Sequence, residues 1–159
     1  FYNMKVLMVC LGNICRSPMA QGVLEQKLNE RGLSWKVDSA GTNGYHDGES
    51  PDPRAIKCAA THGIDISNQI SRKITPDDFL DADLICVMDD MNYHTVTKLA
   101  PPYCRDKVYL LMDFALDPPF SFVPDPYYDN SFERSYELIN LACEALLTKY
   151  NGSVKELEV

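Results

Sequence analysis

The segment Cys10-Leu11-Gly12-Asn13-Ile14-Cys15-Arg16-Ser17 holds a cysteine and an arginine separated by five residues, with a hydroxyl directly after. A thiol becomes a strong nucleophile only as the thiolate, and donors that stabilise a phosphate also stabilise a thiolate. Gly12 permits positive φ, so the backbone N–H groups of Leu11, Gly12, Asn13, Ile14 and Cys15 can turn inward as an anion nest. Arg16 adds a planar fork that grips two non-bridging phosphate oxygens. Ser17 can donate its hydroxyl to the Cys10 sulfur, favouring the thiolate and improving it as a leaving group, and Asn13 can brace the loop through its side chain. The plainer alternative for Cys10 is a buried thiol at a strand end. Displacing an alcohol from phosphorus also needs a proton donor. Asp125 stands between Pro124 and Pro126, with Tyr127 and Tyr128 beside it, a stiff segment whose aromatic rings would restrict water. An ordinary turn aspartate is the alternative at that position.

Those residues need a scaffold that brings positions 10–17 and 125 together. Lys5 to Cys10 (KVLMVC) reads as a strand buried on both faces, Leu11 to Asn13 as a turn, and the stripe Met19, Ala20, Val23, Leu24, Leu28 as a helix that starts at Pro18 and stops at Gly32. Further strands are expected at Trp35–Ser39, Ala82–Met88 and Val108–Met112, and Ala40 to Gly44 reads as a loop. Helices are expected at Pro53–His62, at Thr75–Leu80 with Thr75 capping against Asp78, at Asp89–Leu99 and at Ser131–Tyr150. The Pro-rich stretch from Asp113 to Asn130, with Pro118, Pro119, Pro124 and Pro126, reads as an irregular loop long enough to be functional. Alternating strands and helices imply an α/β fold, a doubly wound sheet of four parallel strands with helices on both faces. Ligands in such folds bind beyond the carboxyl ends of the strands, which places Cys10 to Ser17, Ser39 to Tyr45 and Asp89 at one mouth.

Composition bounds the chemistry. The chain of 159 residues, 45% hydrophobic and 24% charged, suits one globular domain spanning residues 4–159, with Phe1 to Asn3 set aside as a remnant ahead of Met4. Fifteen Lys plus Arg against twenty-three Asp plus Glu give a net charge of -8, the wrong sign for binding nucleic acid or an anionic membrane surface. No apolar stretch approaches the roughly 20 residues of a membrane span, so a cytoplasmic protein without membrane insertion is expected. Six cysteines in a chain with this much core are expected as free thiols, and there is no CxxC pair or zinc-finger spacing. His46, His62 and His94 read as surface or helix-end residues, and no metal is expected.

Cys10 to Ser17 followed by Pro18-Met19-Ala20, with Asp125-Pro126-Tyr127-Tyr128 late in the chain, resembles the low-molecular-weight protein tyrosine phosphatases over nearly the whole length, from Met4 to about Tyr150. The resemblance implies a flavodoxin-like sheet, a phosphocysteine mechanism without metal or other cofactor, and phosphotyrosine-containing proteins as partners; the sequence leaves the oligomeric state open, with a monomer favoured. It implies that Cys10 is the nucleophile, Arg16 the phosphate clamp, Ser17 the thiolate stabiliser and Asp125 the general acid that later activates water. Asn13 and Ser39 match the pair that props the loop, and Leu11, Tyr45 and Tyr127 match the walls of an aromatic slot. It further implies a reversible Cys10–Cys15 disulfide that protects the nucleophile; a small buried side chain is the alternative for Cys15. Within Ser67 to Arg72 relatives often carry a His that supports Asn13, where this chain has Asn68 and Gln69, so an amide is expected to take over those contacts. The related arsenate reductases pass a disulfide to two closely spaced further cysteines, whereas here Cys86 is followed by none until Cys104. That oxidoreductase reading is the runner-up.

Overall fold

The computed structural model describes residues 3–115 and 121–158, with 151–158 by backbone alone; Phe1, Tyr2, Pro118 and Pro119 lie outside the described residues. Four strands, β1 (Lys5–Cys10), β2 (Lys36–Gly41), β3 (Leu84–Val87) and β4 (Val108–Leu110), form a wholly parallel sheet in the order β2-β1-β3-β4. Helices α1 (Arg16–Glu30), α2 (Pro53–Thr61), α3 (Pro76–Asp81), α4 (Asp90–Leu99), α5 (Pro126–Asp129) and α6 (Phe132–Glu158) join and cover it. This is the flavodoxin-like arrangement.

Side-chain alternation along β1 divides the core. Val6, Met8 and Cys10 pack on one face with Met19, Val23 and Leu24 of α1, Ala59 of α2 and Ile139 and Leu146 of α6. Leu7 and Val9 pack on the other with Ile85, Val87, Phe79 of α3 and Val96 of α4. A strand with both faces covered must be apolar throughout, which is why Lys5 to Cys10 shows no polar alternation. The chain leaves β1 toward β2 on one side and later places β3 on its other side, so the loop after β1 opens into the crevice at this switch point.

Several boundaries differ from expectation for local reasons. Helix α1 begins at Arg16, two residues before Pro18, because a proline in the first turn lacks only an N–H that has no helical partner there. Ala40 and Gly41, expected in a loop, extend β2: Gly41 pairs with Cys10 on one side and bridges Lys73 on the other. Strand β3 starts at Leu84, since Asp83 spends its carboxylate on the Lys5 N–H at 2.8 Å. Strand β4 ends at Leu110, where Leu111–Phe114 winds into a 3₁₀ turn, and Pro102–Lys107 forms another. The stretch expected to be irregular from Asp113 to Asn130 therefore contains part of one 3₁₀ turn and all of α5. The last helix runs on past Tyr150 to Glu158.

Gly22 sets how closely α1 approaches the segment after α2. A Cβ built there would lie 2.7 Å from Cγ2 of Ile66 and 2.8 Å from Cγ2 of Ile64, both buried β-branched side chains with little freedom to move. Gly22→Ala would gain about 1 kcal/mol of helix propensity. Overpacking of this kind costs about 1–3 kcal/mol. The overpacking wins, and Gly22→Ala is expected to lower the urea midpoint; a raised midpoint would show that the interface is slack.

Candidate active site

The chain turns sharply after β1. Asn13 adopts φ 58°, in the left-handed region where Asn is among the better tolerated non-glycine residues, and the turn directs its N–H to Cys10 Sγ at 3.3 Å. Every polar group that holds this bend has a partner. Asn13 Nδ2 donates to Ser17 Oγ at 2.8 Å and to Ser39 Oγ at 2.9 Å. Its Oδ1 accepts from the Arg72 N–H at 3.0 Å, and its carbonyl accepts from Ser71 Oγ at 2.5 Å. The second strand's exit is laced to the same loop, with the Thr42 N–H donating to the Cys10 carbonyl at 2.9 Å and the Asn43 N–H to the Leu11 carbonyl at 3.1 Å. Gly41 allows this approach, since a Cβ there would stand 3.0 Å from the Leu11 oxygen and the Gly12 carbonyl carbon.

The same network orients Ser17. Its oxygen already accepts from Asn13, so its own proton is free to be donated, and Cys10 Sγ at 3.0 Å is nearer than the Ala40 carbonyl at 3.4 Å. Two donors, the Ser17 hydroxyl and the Asn13 N–H, therefore face the sulfur.

Arg16 is only 2% exposed. Its Nη1 donates to Asp89 Oδ2 at 2.6 Å and to the Val123 carbonyl at 3.0 Å, and Nη2 lies 3.5 Å from Asp125 Oδ2. Burial alone would lower the proton affinity of the guanidinium, but Cys10, Asp89 and Asp125 outweigh it and hold Arg16 above its ordinary value. Asp89 is itself fixed as the N-cap of α4, accepting from the Asn92 N–H at 2.8 Å. Asp125 accepts from the Tyr127 N–H at 3.1 Å, which sets its carboxylate at the head of α5. Arg54 steadies the next residues: it donates to Asn130 Oδ1 at 2.5 Å and to the Tyr127 carbonyl at 3.3 Å, and its guanidinium lies 5.4 Å from the Tyr127 ring centre.

These groups border a cavity of about 260 Å³ whose floor is Cys10, Gly12, Cys15 and Arg16 and whose walls are Leu11, Ile14, Tyr45, Tyr127 and Tyr128, with Asp125 at the side. Asn13, Ser17 and Ser39 do not line it; they hold the floor from behind. Asn43 and His46 do line it. His46, expected as a surface or helix-end residue, packs over Gly12, where a Cβ would meet its Cδ2 at 3.1 Å, and its Nδ1 lies 2.9 Å from Glu49 Oε2.

Support for Asn13 comes from Ser71 and the Arg72 backbone, and neither Asn68 nor Gln69 makes the contacts expected of an amide: Asn68 is exposed, and Gln69 Nε2 donates to the Pro18 carbonyl at 3.0 Å. No sequence pattern marks this support, which comes from a segment running beside β2, where the Gly41 N–H donates to the Arg72 carbonyl at 2.8 Å and the Ile74 N–H to the Gly41 carbonyl at 2.9 Å. Arg72 is held in turn by Asp78 and Asp38, at 2.8 and 2.9 Å from Nη2.

A cysteine sulfur facing two donors, a buried guanidinium and a carboxylate thus border one cavity. Residues 5–157 match the family model for low molecular weight phosphotyrosine protein phosphatase. A human low molecular weight phosphotyrosine protein phosphatase is 40% identical over 151 residues, covering 91% of this chain and 94% of its own. The chain belongs to this family. A protein tyrosine phosphatase from Entamoeba histolytica superposes with a TM-score of 0.91 at 36% identity, covering 95% of this phosphatase and 99% of its own chain. A Drosophila protein described as an arginine phosphatase superposes at 0.87 with 34% identity, covering 92% and 98%.

Asn13→Gly separates backbone shape from side-chain latching in this phosphatase, because glycine accepts the positive φ at no steric cost. Phosphatase activity is expected to fall by up to about 100-fold, the scale of an ångström misplacement in a catalytic site, and the urea midpoint to fall as well, since Ser17, Ser39 and the Arg72 N–H each lose a buried partner. Retained activity would show that the backbone alone holds the loop.

Proposed function

We propose that the protein hydrolyses phosphotyrosine monoesters through a phosphocysteine intermediate. The observation that carries the reading is the pair of donors on Cys10 Sγ at the floor of a cavity bordered by Arg16 and Asp125. In the first step the Cys10 thiolate attacks phosphorus; the S–P bond forms, the aryl O–P bond breaks, and the phenolic oxygen takes its electron pair and a proton from Asp125. Arg16 and the loop N–H groups hold the non-bridging oxygens as charge moves onto them. In the second step water attacks phosphorus and gives a proton to the Asp125 carboxylate. The S–P bond breaks, and thiolate and inorganic phosphate are restored.

The walls favour a flat ring: Leu11, Tyr45 and Tyr127 offer faces and edges for an aryl group, and Tyr45, 85% exposed, is free to close over it. The arsenate reductase alternative is disfavoured. It needs a disulfide handed on to accessible thiols, but Cys86 is wholly buried in β3, where burial pushes its thiol well up, and Cys104 is buried too.

Cys10→Ser is expected to abolish turnover while keeping phosphate binding, and Arg16→Lys to fail because a point charge cannot reproduce a bidentate grip. Asp125→Asn should slow the pre-steady-state burst with phosphotyrosine by about 100- to 10,000-fold, and much less with an aryl phosphate whose phenol leaves readily as an anion. Equal depression for both leaving groups would make Asp125 a positioning residue for its loop.

A protective disulfide belongs to the same reading. In this reading peroxide oxidises the Cys10 sulfur to a sulfenic acid and is itself reduced to water, and the Cys15 sulfur then displaces water to form the Cys10–Cys15 bond; burial first, and then Asp52, Cys10 and Asp125, push the Cys15 thiol well above its ordinary value, which slows this second step. Peroxide-inactivated protein is expected to regain activity with a thiol reductant, and Cys15→Ser to lose that recovery more than its activity. Equal recovery in the variant would remove Cys15 from the pathway.

A further inference from the structure

The last turn of α2 and the first turn of α6 bring together three side chains that phosphate chemistry does not use. A sulfur of Cys58, a ring nitrogen of His62 and a carboxylate oxygen of Glu133 all lie within 4.8 Å of one another. Cys58 Sγ donates to Glu133 Oε2 at 3.5 Å, and His62 Nε2 lies 2.6 Å from Glu133 Oε1. Cys58 and His62 are four residues apart, the spacing that puts two side chains on one side of a helix. The imidazole plane is fixed by stacking on Tyr136 of α6, with centroids 3.7 Å apart and planes 9° from parallel. The thiol is 8% exposed, while the Glu133 side chain is 58% exposed, so the cluster has a closed inner side and an open outer one.

We propose that Cys58, His62 and Glu133 form a three-ligand site for a borderline-soft divalent cation, zinc foremost, that staples α2 to α6. The donor set makes the selection: thiolate and imidazole exclude the oxygen-seeking cations Mg²⁺ and Ca²⁺, and thiolate with imidazole and carboxylate suits Zn²⁺. Ligand atoms around a tetrahedral zinc lie roughly 3.3–3.6 Å apart, given bonds of about 2.0–2.3 Å. The sulfur–oxygen pair already has that separation, and the histidine–glutamate pair opens by less than about 1 Å through rotation of an exposed glutamate. On binding, the Cys58 proton leaves to solvent, sulfur, Nε2 and a carboxylate oxygen each donate a lone pair, and a fourth position remains for water. The opposite end of α2 carries Arg54, which spans to Asn130 and the Tyr127 ring, so the staple braces the platform under one wall of the cavity.

Cobalt(II) is a suitable probe, because thiolate ligation gives a sulfur-to-cobalt charge-transfer band. The folded protein is expected to show the band with about one equivalent of metal, to keep it in Cys10→Ser and to lose it in Cys58→Ser. In chelator competition with zinc, His62→Gln and Glu133→Gln are expected to weaken binding by more than the roughly 10- to 100-fold that outer-shell partners contribute. Zinc should also raise the unfolding temperature of the native protein and not that of His62→Gln, a partly exposed substitution that decides the matter if Cys58→Ser misfolds. Absence of the band, its survival in Cys58→Ser, its loss in Cys10→Ser, or equal zinc stabilisation of His62→Gln would overturn the site and leave the cluster as a hydrogen-bonded joint between helices.

Discussion

A guanidinium that cannot lose its proton is buried in the floor of the cavity, and much of the architecture follows from satisfying it. A buried charge is tolerated only when paired and hydrogen-bonded, and Arg16 meets that demand with partners from widely separated parts of the chain: Asp89 just beyond β3, and the Val123 carbonyl and Asp125 in the segment before α6. Only a parallel sheet that delivers these segments to one edge brings the three together. The strand order and the switch point beside β1 are thus conditions for solvating one cation as much as for placing one thiol. The protein's overall charge of -8 is a sum over the whole surface, whereas the cavity is lined by one buried guanidinium, Arg16.

Beneath that pairing lies a second constraint, the bent backbone at Asn13. A left-handed residue between a strand and a helix is stable only if its surroundings over-determine it, and Ser17, Ser39, Ser71 and Arg72 do so from four directions. The latch that shapes the loop is also what frees the Ser17 proton for the sulfur, so loop geometry and nucleophile electrostatics cannot be varied independently.

How much of this was legible in the sequence depended on whether the signal was local. Cys10 to Ser17 could be read because its residues are contiguous and lie between an apolar strand and a helical stripe, and β1 and β3 could be read because covering on both faces leaves them apolar. Asp125 stood out through its flanking prolines and tyrosines. Ser71 and Arg72 did not, because their role comes from running beside β2 after a stretch without periodicity, and one of the two contacts is made by a backbone N–H whose side chain is irrelevant. The short helical turns at Pro102–Lys107 and Leu111–Phe114 were missed because six and four residues of 3₁₀ geometry impose no sequence period. His46 read as a surface residue, since nothing in its neighbours announces that its ring fills the space left by the missing side chain of Gly12.

Gly41 meets the loop backbone to backbone, with no side chain between them. The shape of the phosphate cradle is therefore inherited from strand register, whereas the Tyr45 and Tyr127 side chains are exposed on its rim. The molecule separates what must stay constant from what is free to diverge. A lineage built on this plan can exchange its aromatic rim and drift to new phosphorylated partners while the reactive centre stays unchanged, and a substitution at this one glycine would be felt first by the reaction and last by the choice of substrate.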